Sequence, residues 1–173
     1  MTGLRRRLGP AIGALSHGAN RLAEWILAVL LAAMTAVVGL QIAGRFVFSF
    51  SPFWSDELTR FLLIWISFLG MSLGVYRGAH PGIDSLMRAL PPRRARLGAT
   101  LGLLFSVLFF AVLVVYGGAL AFRTWGQRSV SLEIPMGIPY LAVPASGLLM
   151  CLHTVAAWLQ SGSARWVGED TRD

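Results

Sequence analysis

The chain reads as an all-α integral membrane protein with four transmembrane helices, and three observations carry that reading. Its 173 residues are 55% hydrophobic and only 13% charged, where a soluble domain usually carries about 25% charged residues. The charges leave four runs free of Asp, Glu, Lys and Arg: 20 residues between Glu24 and Arg45, 16 between Arg60 and Arg77, 26 between Arg96 and Arg123, and 31 between Glu133 and Arg165. Roughly 20 apolar residues, rising about 1.5 Å each, cross about 30 Å of hydrocarbon. Three runs suffice outright; Leu58 and Thr59 extend the second, whose flanking Arg60 and Arg77 can snorkel. Finally, LLFSVLFFAVLVVYGGALAF (Leu103–Phe122) is apolar on every side. A soluble bundle would need a polar stripe there, so that class is excluded.

The first element is a basic leader, residues 1–21, with Arg5, Arg6, Arg7 and Arg21. A cleaved signal peptide is the competing reading, but typical signal cores span about 7–15 residues, and the run that follows is longer. It is therefore expected to stay as the first span, residues 22–47, with Gln41 and Arg45 one turn apart on one face near its end. The link SFSPFWSDE follows. Ser51 and Pro52 suit an N-cap and first-turn proline, Asp56 and Glu57 suit an early helical turn, and the Phe and Trp residues suit interfacial depth.

The second span covers residues 56–76. Ser67, Gly70, Gly74 and Gly78 recur at helical spacing and form a small-residue face that permits close helix approach. The loop after it is the most basic, and IDSLMRAL within it has the pattern of a short amphipathic surface helix, ended by Pro91 and Pro92. The third span covers residues 97–125, with Gly98 and Gly102 as a second small pair. The fourth covers residues 139–160, where Pro144 is tolerable in a first turn or at a kink. The four spans make a transmembrane domain over residues 22–160, and residues 161–173 form a polar tail.

Eleven of the fifteen arginines lie in the leader, the middle loop and the tail. Both termini and the middle loop are therefore expected on the cytoplasmic side, since basic loops stay inside. The same dispersal argues against nucleic acid as the target of the +7 charge. Cys151 is the single cysteine, which excludes an intrachain disulfide, a dithiol relay and a Cys-based zinc site.

Patterned polar residues are concentrated around the second span. Arg45, Trp54, Asp56, Glu57 and Arg60 collect at its entry; Arg77, His80 and Asp84 collect at its exit. Asp56 and Arg60 are spaced i,i+4 and Glu57 and Arg60 i,i+3, which suits local ion pairs; a partner-facing cluster is the sharper alternative. No acid or base falls at mid-depth in any span, and such groups are what mark proton relays and ion paths. No nucleophile has a matching base, so an enzyme is not expected. The histidines are His17, His80 and His153; a His80–His153 pair in a membrane redox or haem subunit is one alternative, although such sites need ligands converging at one depth. No cofactor or metal is expected.

The ordered set RFVFSFSPFWSDELTR, WISFLG and YRGAHPGID resembles the small membrane subunit of tripartite ATP-independent periplasmic (TRAP) transporters, the DctQ-type family. That family's R-[YF]-x-F, W-x-[ED]-E-x-x-R, W-x-x-F-x-G and R-x-x-H-x-x-[VI]-D elements map in order onto Arg45–Phe48, Trp54–Arg60, Trp65–Gly70 and Arg77–Asp84. A late I-P-x(4)-Y-x-A-x-P element maps onto Ile134, Pro135, Tyr140, Ala142 and Pro144. Glu133 departs from the pattern, because a glycine often precedes the Ile-Pro. The resemblance implies a non-catalytic scaffold in the bacterial inner membrane. It would pack against a large multi-helix subunit that carries the substrate and sodium sites, and help dock a periplasmic binding protein that delivers an organic acid or similar solute. Arg45, Trp54, Asp56, Glu57, Arg60, Ser67, Gly70, Gly74, Arg77, His80 and Asp84 are the candidate contacts to these partners, with membrane lipid around them. The small subunit of another tripartite carrier family is the remaining alternative.

Overall fold

The computed structural model describes residues 2–47, 49–50, 52–78 and 91–161. It is all-helical, in the order α1 (Thr2–Val47), α2 (Ser55–Tyr76), α3 (Pro92–Arg123), α4 (Gly137–Tyr140) and α5 (Ala142–Ser161). Four stretches are long and apolar enough to cross a membrane: Gly9–Val47, Ser55–Tyr76, Thr100–Arg123 and Gly137–Gln160. The amphipathic helix expected near residues 83–90, and the tail beyond 161, lie outside the described residues.

The helix that carries the first span starts twenty residues before that span's expected bound. α1 runs unbroken for 46 residues, about 69 Å at 1.5 Å per residue. The reason is a stripe of small side chains hidden among the arginines. Gly9, Gly13, Ser16, Asn20 and Ala23 are all buried, and their alternating spacing of four and three keeps them on one seam. The seam lies against the end of α5. A Cβ on Gly9 would stand 3.7 Å from the Leu159 carbonyl oxygen, and one on Gly13 would overlap the Gln160 side chain. Packing, and not propensity, extends this helix through Pro10.

The other boundaries shift for local reasons. α2 begins at Ser55 with Trp54 at the N-cap position, so Pro52 precedes the helix and does not open it as expected. Instead the Pro52 carbonyl accepts from both the Ser55 amide and the Ser55 hydroxyl, at 3.1 and 2.6 Å. Pro92, expected to end the preceding element, opens α3, where its missing N–H costs nothing. The last span is interrupted at Leu141. Pro144 then falls in the first turn of α5, where a proline is tolerated.

α5 is the hub. It packs against α1, α2 and α3, whereas α3 touches only α5 and α4 among the described residues. Ala23, Leu69 and Leu73, joined by Leu27, Leu30, Trp65 and Leu149, fill the junction of α1, α2 and α5. The close approach of α3 does not use Gly102 of the expected pair, for a Cβ there would meet nothing within 4 Å. It uses glycines nearer the other end. A Cβ on Gly117 would stand 2.7 Å from Val143 Cγ1, and one on Gly137 only 2.5 Å from Trp125 Cε3. Such contacts bring backbones together where apolar lipid supplies no hydrophobic drive between helices.

Candidate functional site

The two ends of α2 carry most of the candidate residues. At its first turn Asp56 and Glu57 face main-chain and amide donors. The expected ion pairs with Arg60 do not form; the ion pair among the described residues is Arg77–Glu24. Asp56 accepts a hydrogen bond from the Gln41 side chain of α1, which ties the end of one helix to the start of the next. Glu57 Oε2 accepts from the amides of Ser131 and Leu132, at 2.7 and 3.0 Å. A carboxylate needs donor partners of this kind when water is scarce, and two main-chain amides supply them.

Those amides belong to the turn between α3 and α4. It folds back on itself through Ser129 N–H to Ile134 O and Met136 N–H to Gln127 O, both 2.9 Å. At its corner Glu133 takes φ +53°, a left-handed conformation that favours glycine. The Arg128 guanidinium donates to the Glu133 carbonyl at 2.8 Å and closes the corner. Val130, at the tip, is 95% exposed. Trp54 is half-buried beside the first turn, and Arg45 and Arg60 are exposed and without an ion pair among the described residues.

On the flank of α2, Ser67 is exposed, and a Cβ on Gly70 or Gly74 would meet nothing within 4 Å. The small face is therefore open among the described residues, and no helix described there packs onto Gly70 or Gly74.

The opposite end holds a polar junction of three helices. Arg77 pairs with Glu24 at 3.1 Å, and the Asn20 amide donates to the same carboxylate oxygen at 3.1 Å. His17 Nδ1 and the Tyr76 hydroxyl lie 2.9 Å apart, while the buried Ser16 hydroxyl and His153 Nδ1 lie 2.8 Å apart. Tyr76 meets the His153 ring edge-on, with centroids 5.1 Å apart. His153 is thus engaged by Ser16 and Tyr76. His80 and Asp84 lie outside the described residues, and no group of three or more His, Cys, Asp or Glu able to hold a metal occurs among those described. Ser16 and Asn20 escaped notice in the sequence because a polar residue in a basic leader carries no sign of its partner, and Glu24 figured there only as the bound of an uncharged run. The 3–4 spacing of the small residues around them was the available signal.

Chemically, the arrangement joins helices and presents surface. This is the architecture of a multi-pass membrane protein. Residues 34–162 match the DctQ component of the tripartite ATP-independent periplasmic transporters. The chain belongs to this family and is a TRAP transporter small permease subunit. It is 34% identical over 102 residues to the C4-dicarboxylate TRAP transporter small permease protein DctQ of Rhodobacter capsulatus, an alignment covering 58% of this chain and 45% of that protein. With the sialic acid TRAP transporter small permease protein SiaQ of Vibrio cholerae it shares 30% identity over 132 residues, covering 76% of each. It is also 27% identical over 142 residues to the sialic acid TRAP transporter permease protein SiaT of Haemophilus influenzae, covering 80% of this chain but 22% of that protein. The alignments thus span less than half the length of the Rhodobacter and Haemophilus proteins. Membership of this family displaces the haem-subunit and other-carrier readings.

Proposed function

We propose that this chain is the scaffold subunit of a sodium-coupled TRAP uptake system in the bacterial inner membrane. It packs against a large transport subunit and helps dock a periplasmic binding protein that delivers an organic acid or similar solute. The observation that carries this reading is the match to a segment of much longer permease proteins: 22% of the Haemophilus protein and 16% of the isethionate TRAP transporter permease protein DctMQ of Oleidesulfovibrio alaskensis. In such proteins the equivalent of this chain is covalently joined to further permease sequence. The open face at Ser67, Gly70 and Gly74 supports the same reading, because it is a packing surface left unused at home. His80 and Asp84 complete the proposed contacts at the Arg77 end, and Trp54, Asp56, Glu57 and Arg60 those at the other.

Co-expression with the large subunit, followed by mild detergent extraction, tests the assembly. The expected result is retention of the large subunit through purification; its consistent absence overturns the reading. The accompanying topology has both termini and the 77–96 loop in the cytoplasm. A reporter active only in the cytoplasm should work when fused at residue 90 and fail at residue 130, and the reverse pattern inverts the orientation.

A further inference from the structure

The end of α1 is shaped into a cleft by a specific turn. The Phe50 amide donates to the Gly44 carbonyl at 3.0 Å, across a corner in which Ser49 takes φ +51°. Left-handed corners of this kind end helices by satisfying their last carbonyls. A Cβ on Gly44 would stand 2.6 Å from the Phe50 carbonyl oxygen, so the turn closes in this form only over glycine. On the other wall Gln41 of α1 donates to Asp56 of α2. Between them lies an open cleft of about 500 Å³ lined by Gln41, Ile42, Arg45, Phe46, Phe50 and Asp56.

Two features specify what would fit. First, one guanidinium and one carboxylate line the same cleft without pairing, since the ion pair among the described residues lies at the other end of α2. Gln41 donates to one oxygen of Asp56, and both charges are exposed to an opposite charge brought by a ligand. Second, the cleft sits where the apolar span ends, and its rim is greasy. Phe46 is 80% exposed, Phe50 63% and Ile42 53%. Aromatic side chains at such a boundary match headgroup depth.

A ligand complementary to this cleft carries a phosphate for the arginine fork, an ammonium a few bonds away for the carboxylate, and an apolar tail for the rim. We propose that the cleft binds the phosphoethanolamine headgroup of a phospholipid, with Arg45 on the phosphate, Asp56 on the ammonium and an acyl chain along Ile42 and Phe46. Phosphatidylglycerol offers the phosphate without the ammonium and leaves Asp56 facing an anion.

Native mass spectrometry of the full-length protein, purified in mild detergent alone and with any large subunit that co-purifies, tests this directly. Phosphatidylethanolamine, phosphatidylglycerol and soluble phosphoethanolamine are the probes. One phosphatidylethanolamine should be retained in both forms, about tenfold more strongly than phosphatidylglycerol, a difference equivalent to about 1.4 kcal/mol. Arg45→Gln and Asp56→Asn should each lower that retention about tenfold, while Arg123→Gln at the end of α3 leaves it unchanged. Circular dichroism should report unaltered helix content for all three. Equal retention of both lipids, or retention indifferent to Arg45→Gln, overturns the proposal. Competition by soluble phosphoethanolamine assigns the cleft to a free phosphoester and also overturns it. Loss of the lipid only in the complex gives the cleft to the partner's side chains instead. The isolated-protein arm stands even where no large subunit is retained, so failure of the assembly reading remains distinguishable.

Discussion

Glu57 is held by two main-chain donors, which makes it a fastener for the α3–α4 turn and not half of an ion pair. Replacing it by alanine leaves the Ser131 and Leu132 amides without an acceptor, and amides so released open to exchange. Hydrogen exchange at these two positions should accelerate about tenfold in Glu57→Ala and less in Glu57→Gln, which keeps one carbonyl acceptor. Asp56→Asn, whose partner is Gln41, should not change exchange in that turn. Equal exchange in all variants would mean that the turn is held by its own internal bonds. At the other end, Ser16 and His153 form a buried bond while His153 Nε2 and Asn20 Oδ1 have no partner among the described residues. Bonds between membrane helices contribute less than the usual desolvation penalty would imply. Ser16→Ala should therefore cost about 1 kcal/mol in thermal unfolding in detergent. In a His153→Leu background, where no ring nitrogen remains to satisfy, the same change should cost close to nothing. Additive losses would show that the two side chains act separately.

Close helix packing separates the glycines of this chain into two kinds. Gly117 and Gly137 sit against α5 and Trp125, while Gly70 and Gly74 face open space. Gly117→Leu must push Val143 and Pro144 away and should destabilise the chain by itself, by about 1–3 kcal/mol for an overpacked contact. Gly74→Leu should leave the isolated chain folded, with an unchanged melting temperature, yet reduce co-purification of the large subunit. Destabilisation of the isolated chain by Gly74→Leu would place that face inside the fold. This contrast also marks where the sequence was informative. Four spans could be read because the length of an uncharged run is a local property that the bilayer reads directly. The small faces were visible as spacing, but spacing says only that a helix can approach. Hence the Gly98–Gly102 pair was expected to matter and Gly117 was missed. Likewise the Gly9–Ala23 stripe lay in plain view, yet the three adjacent arginines made the leader look like a mere tether. The Glu57 contact was beyond reach, since its partners stand 74 and 75 residues away.

At the scale of the whole molecule, α5 holds the other described helices together. α1 and α2 can pair early as neighbours in sequence, but α3 has no contact with either among the described residues. Its Phe105, Leu108, Phe109, Val112, Val115 and Tyr116 are exposed and meet lipid or another chain. The layout is therefore a three-helix group with α3 attached along one side of α5, not a ring of four. Cysteine cross-linking in a Cys151→Ala background distinguishes the two. A Cβ on Gly147 would stand 3.4 Å from Leu113 Cβ, close to the separation of about 3.5–4.5 Å that a disulfide spans. Leu113→Cys with Gly147→Cys should therefore oxidise readily and join α3 to α5. Thr35→Cys with Val112→Cys, bringing α1 and α3 into question, should stay reduced under the same oxidant. Formation of that second bond within one chain would close the ring and remove α5 from its central place. Because α5 makes the main contact of α3 with the rest of the fold, beside the α3–α4 turn that Glu57 holds, a disulfide at Leu113–Gly147 should also raise the temperature at which α3 separates. The α1–α2 junction around Ala23, Leu69 and Leu73 should melt as before.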